Sequence, residues 1–129
     1  MQEERDKDIR MAATYVDNNT PTLIAVPTND EVTIFPKMLG MADKMFIYAL
    51  NEGHIKLVEK RNNPYAKTQQ HLKTLDVYDL LHDCAIIISA HIGKKGIQRL
   101  EERGVKLMYK KGNIQKALQG VIEELKPYI

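Results

Sequence analysis

Residues 84–97, Cys-Ala-Ile-Ile-Ile-Ser-Ala-His-Ile-Gly-Lys-Lys-Gly-Ile, place a histidine, two lysines and two glycines directly behind an apolar run. Ala85 to Ile88 reads as a buried strand, and Lys94 onward as the start of a helix. The turn between them falls at the carboxyl end of the strand, where open α/β sheets bind their ligands. His91 presents an imidazole there, which ligates metals in its neutral form. Gly93, Lys94, Lys95 and Gly96 would surround an anion with backbone N–H groups and two cations. Their spacing lacks the Gly-x-x-x-x-Gly-Lys-Ser/Thr of a phosphate loop, so the signal is for an anion rather than for a nucleotide. The same residues would also suit a plain turn, with glycine for geometry and lysine for solubility.

Other groups could join this chemistry. His71 sits in a polar loop, Lys67 to Lys73, as a second imidazole ligand or as a loop-holding hydrogen-bond partner. Met38, Met41 and Met45 surround Gly40. Their thioethers suit soft metals, and equally suit the filling of irregular apolar gaps. His54 at a turn and His82 at a helix end are expected to face solvent. Cys84 begins an apolar strand at the end away from the crevice, so a buried, inert thiol is expected. Two-cation nuclease chemistry needs clustered carboxylates. The central strand Leu23-Ile24-Ala25-Val26 has none, and Asp83 precedes the fourth strand at its wrong end. No Ser-His-Asp or Cys-His arrangement emerges.

The bulk composition sets the class. At 129 residues, with 43% hydrophobic and 28% charged, the chain suits one soluble globular domain. A net charge of +2 implies no broad basic surface, so nucleic acid is not an expected partner. The single cysteine excludes an intramolecular disulfide and any all-cysteine cluster ligation within one chain, and fits a reducing, cytoplasmic setting. No apolar run approaches the ~20 residues of a membrane span, and the charged stretch Gln2 to Arg10 is no secretion signal. Residues 1–21 read as a tail, disordered or with a helical turn around Ile9 to Val16, ahead of one domain over 22–129.

The elements that would position these groups follow from the pattern. Leu23 to Val26 reads as a central strand ended by Pro27, and Val32 to Phe35 as a short strand. Met45 to Leu50 and His54 to Lys60 form a hairpin about Asn51-Glu52-Gly53, the second being a charged edge strand. A helix is expected from Thr74 through Leu81, then a strand over Cys84 to Ser89 and a helix from Lys94 to Arg103, stopped by Gly104. Val105 to Tyr109 is the next strand, and Ile114, Leu118, Val121 and Leu125 lie in register on a last helix. An antiparallel meander followed by crossovers gives an α/β fold with a mixed sheet of about five strands and helices on its faces.

Several stretches, in this order and spacing, resemble the dinitrogenase iron–molybdenum cofactor-binding family over residues 22–125. They are Ile24-Ala25-Val26-Pro27-Thr28; Leu39-Gly40-Met41-Ala42 with Phe46-Ile47-Tyr48; and Arg61-Asn62-Asn63-Pro64. His71, Asp83-Cys84 to Ile88 with Ile92-Gly93, and Leu100-Glu101-x-x-Gly104-Val105 complete them. The resemblance implies a ribonuclease H-like fold and a non-enzymatic role in binding or carrying an anionic iron–sulfur or iron–molybdenum cluster. It implies a site of Leu39, Gly40, Met41, Ala42, Asn63, Pro64, Gly93, Lys94 and Lys95, with His71, His91 and Met38 as metal ligands. Many members carry His-Phe-Gly where this chain has Met38-Leu39-Gly40, so a thioether replaces an imidazole. The implied partners are cluster donor and acceptor proteins, or a second copy in a homodimer. A metal-free interaction module on the same fold is the alternative.

Overall fold

The computed structural model describes residues 21–66 and 79–125. Residues 1–20, most of the expected Thr74–Leu81 helix, and His71 with its loop lie outside them. Five strands form one sheet in the order β3-β2-β1-β4-β5. They are β1 (Thr22–Thr28), β2 (Lys44–Asn51), β3 (His54–Asn62), β4 (Ile86–Ser89) and β5 (Lys106–Tyr109). β1 pairs antiparallel with β2 and β2 with β3, whereas β4 runs parallel to β1 and β5 parallel to β4. The expected mixed sheet is therefore present. Helix α1 (Lys94–Glu102) crosses from β4 to β5, and α2 (Ile114–Leu125) follows β5. No helix among the described residues is long and apolar enough to cross a membrane.

Burial on both faces explains the order. β1 and β4 carry apolar side chains at successive positions, so each must be covered above and below. On one face, Ile24, Val26, Ile86 and Ile88 pack under Ile114, Leu118, Val121 and Leu125 of α2. On the other, Ala25, Met45, Ile47 and Ile87 pack with Leu39, Leu81, Cys84 and Leu100. The hairpin joining β2 to β3 turns on Glu52 and Gly53, both at positive φ, as a two-residue type I′ connection requires. α1 ends where Gly104 takes φ +82°, with Gly104 N–H bonding to Glu101 and Val105 N–H to Leu100, each at 3.0 Å.

Two local expectations change. β1 continues through Pro27 to Thr28. The Pro27 carbonyl accepts from Phe35 N–H at 2.9 Å, on the side away from β2. A residue's N–H and C=O point to the same side of a strand, so the N–H that proline lacks is not one the β1–β2 ladder needs. Residues 32–35 form no strand; Thr33 makes an isolated bridge to Asn113. Asp30 curls the chain beforehand: one carboxylate accepts from Val32 N–H, Thr33 N–H and the Thr33 hydroxyl at 2.9, 2.7 and 2.8 Å. Those bonds hold its carboxyl down at about 2.

Arg61 is the cross-brace of the fold. Its guanidinium grips both oxygens of Asp83 at 2.9 and 2.7 Å, bonds Glu59 at 2.9 Å, and donates to the Leu80 carbonyl. One planar side chain thereby ties the end of β3 to the segment that enters β4. The Arg61 guanidinium pulls the Asp83 carboxyl down from 3.8 to about 2. A depressed carboxyl stabilises the fold above its ordinary pKa and loses that contribution as pH falls. Asp83→Asn should therefore lower the melting temperature at neutral pH. Scanning calorimetry should show the gap to the parent chain closing as pH falls from about 4 to about 2.

Candidate functional site

The carboxyl ends of β1 and β4 lie side by side, and three chain segments meet there. The first is the single 3-10 turn Leu39–Met41 with its flanks Met38 and Ala42. The second is Asn63-Pro64, just after β3, and the third runs from His91 into α1. Their meeting is a set of main-chain bonds. Met38 and His91 form a parallel bridge, and the His91 carbonyl accepts from Leu39 N–H at 3.0 Å. The buried Ser89 hydroxyl donates to that same carbonyl at 3.1 Å. Asn63 is buried and donates from Nδ2 to the Gly40 and Ala42 carbonyls, each at 2.9 Å. Its own N–H bonds to Asp43 at 2.9 Å, while its Oδ1 accepts from Tyr65 N–H at 3.0 Å.

Gly93 precedes α1 as its N-cap, and no side chain caps that end. The first N–H groups of a helix have no partner within it, so the positive pole of α1 opens beside this junction. A β-carbon on Gly93 would stand 2.9 Å from the Met38 methyl. The glycine is therefore what lets the methionine lie against the turn. Lys94 at the first helical position is exposed, and Lys95 is the second.

The proposed site residues separate by what they present. Met38, 42% exposed, and His91, also exposed, put a thioether and an imidazole on adjacent segments. Gly40, Met41 and Gly93 are half-buried, and Pro64 is exposed. Leu39 and Ala42 point into the core with Ala25, Met45 and Leu81, so only the backbone of their turn can face a ligand. Asn63 holds that backbone rather than lining an opening. His71 lies outside the described residues. His54 is exposed, as is His82, whose Nδ1 lies 3.0 Å from the Asp79 carbonyl. Cys84 is buried, and burial together with the Asp83 charge pushes its thiol up to about 12. Ser89 escaped the sequence reading. Its only signal there is a hydroxyl closing an apolar strand two residues before His91.

Among the described residues, no three His, Cys, Asp or Glu side chains gather into a metal-holding group. The described part of the site thus brings one imidazole, one thioether, a helix pole and lysine charge. That donor set suits loose coordination of a soft, anionic metal species better than a tightly held single cation. Asn63→Ala should strand the Gly40 and Ala42 carbonyls and cost about 1–3 kcal/mol. Asn63→Asp, which sets a carboxylate against them, should cost more. Urea denaturation of the two variants checks the order.

A family model described as dinitrogenase iron-molybdenum cofactor matches residues 21–124. A search of curated proteins finds no significant match. Solved structures share the fold at low identity. The crystal structure of PH0822 is 15% identical, covering 80% of this chain and 92% of that one, with a TM-score of 0.66. The apo form of the orange protein from Desulfovibrio gigas is 17% identical, covering 80% and 88%, with a TM-score of 0.64. With the matched model spanning the whole sheet and both helices, the chain belongs to the dinitrogenase iron–molybdenum cofactor family.

Proposed function

We propose that the chain is a non-enzymatic binding and carrier protein for an anionic iron–sulfur or molybdenum-containing cluster. It would work in the cytoplasm between donor and acceptor proteins. The observation that carries this reading is the junction at the His91 carbonyl, where the Met38 turn is bonded to the start of α1. Family membership supports the choice of cargo.

In this reading the cluster rests at the carboxyl end of the sheet. The pole of α1 with Lys94 and Lys95 offsets its negative charge. His91 and Met38, with His71 as a third candidate, supply exchangeable ligands. Neutral imidazole and thioether add no charge of their own, so electrostatic holding and coordination are separable. Few ligands also permit release. A metal-free interaction module is the second reading, favoured by the inward-facing Leu39 and Ala42 and by the exposed Met38 side chain.

Anaerobic reconstitution with ferrous iron, sulfide and molybdate separates the two. Absorption and elemental analysis should find bound metal on the parent chain. His71→Ala/His91→Ala should lose most of it while keeping a native circular dichroism spectrum. A folded parent chain that takes up no metal overturns the carrier reading. Full uptake by the double variant removes these imidazoles as ligands.

A further inference from the structure

Met38 and Gly93 meet at the candidate site, and the packing around them explains neither residue type. Met38 is 42% exposed and belongs to neither core layer, so it is not a filler of buried apolar gaps. Gly93 has φ −64° and ψ 155°, a conformation open to any residue. It is also the N-cap of α1, where a Ser, Asp or Asn side chain would bond an N–H that glycine leaves free. Neither backbone geometry nor capping calls for a glycine here.

Space does. A β-carbon at Gly93 would stand 2.9 Å from the Met38 methyl, well inside the contact distance of two carbons. The Met38 backbone is tied down as well. Its carbonyl accepts from Met41 N–H at 2.9 Å, and the next N–H, that of Leu39, bonds to the His91 carbonyl at 3.0 Å. The parallel bridge sets Met38 alongside His91, at a strand spacing of about 4.8 Å. Only the rotatable bonds of the side chain lie between that held backbone and the methyl seated against Gly93. The sulfur, one bond from the methyl, thereby has a set place.

We propose that Gly93 is a positioning residue for a soft-metal donor: by leaving out a β-carbon it seats the Met38 methyl at the start of α1 and so sets the thioether on the segment beside His91. The metal this site takes is a soft one, bound through thioether as well as imidazole. Gly93 touches no metal; it orients a ligand, as the neighbours of metal ligands do. The inference rests on the carrier reading only in treating Met38 as a donor. Silver(I), a soft closed-shell ion, tests it apart from any cluster.

Gly93→Ser separates positioning from packing. Serine adds the β-carbon and improves the cap, and the methyl it displaces is the free end of a flexible side chain. The melting temperature should therefore hold or rise. Methyl NMR on the full chain with methyl-labelled methionine follows Met38, its signal identified by its loss in Met38→Leu. In the parent chain that methyl should show a nuclear Overhauser contact to the Gly93 α-protons and should shift on titration with silver(I). Gly93→Ser should bind silver at Met38 about 10–100-fold more weakly. Cys84 is buried in both chains, and the Met38 signal reports the thioether alone. Equal silver binding by the two chains overturns the proposal, as does a parent Met38 methyl that ignores silver or makes no contact with Gly93. A serine variant that fails to fold assigns Gly93 to the fold and overturns it too. Silver binding as expected on a chain that takes up no cluster overturns the carrier reading alone.

Discussion

The fold depends on two neighbouring strands that cannot touch water on either side. β1 and β4 are apolar at successive positions, so they must lie at the centre of the sheet with a layer over each face. That requirement sends β2 and β3 to one flank and β5 to the other. It also sets the carboxyl ends of two parallel strands next to each other. In a sheet of this kind the chain leaves those ends in loops that must satisfy their own polar groups. The candidate site is thus a by-product of how the core is buried.

At that end, paired main-chain groups hold the turns together, while the His91 and Met38 side chains stay exposed. The His91 carbonyl is held from two directions, by Leu39 N–H and by the Ser89 hydroxyl. Asn63 spans two carbonyls of the facing turn. Buried polar groups that are fully paired fix one backbone arrangement, because each broken bond would leave a desolvated partner. His91 is exposed on this fixed frame, and Met38, 42% exposed, lies with its methyl against Gly93.

Much of this was legible in the residues, and the exceptions share a cause. Continuous apolar runs announced β1 and β4, the Glu52-Gly53 pair announced the hairpin, and the spacing of Ile114, Leu118, Val121 and Leu125 announced α2. These are local signals. The roles of Asn63, Ser89 and Arg61 were not legible, because each depends on a partner whose distance in space no spacing rule encodes. Asn63 meets carbonyls of residues 40 and 42, and Arg61 meets residue 83. Leu39 and Ala42 enter the site only through the resemblance, whereas both side chains are buried in the core. Pro27 read as a stop because its missing N–H counts against a central strand. It is tolerated because the side it faces is served by Phe35.

Cys84 sets a direction. It is sealed in the core with its proton firmly held, so the chain brings no thiolate of its own to iron. Thiolates bind such metals more strongly than imidazole or thioether do. In the carrier reading, a cluster held here would pass downhill to an acceptor that offers ionised cysteines.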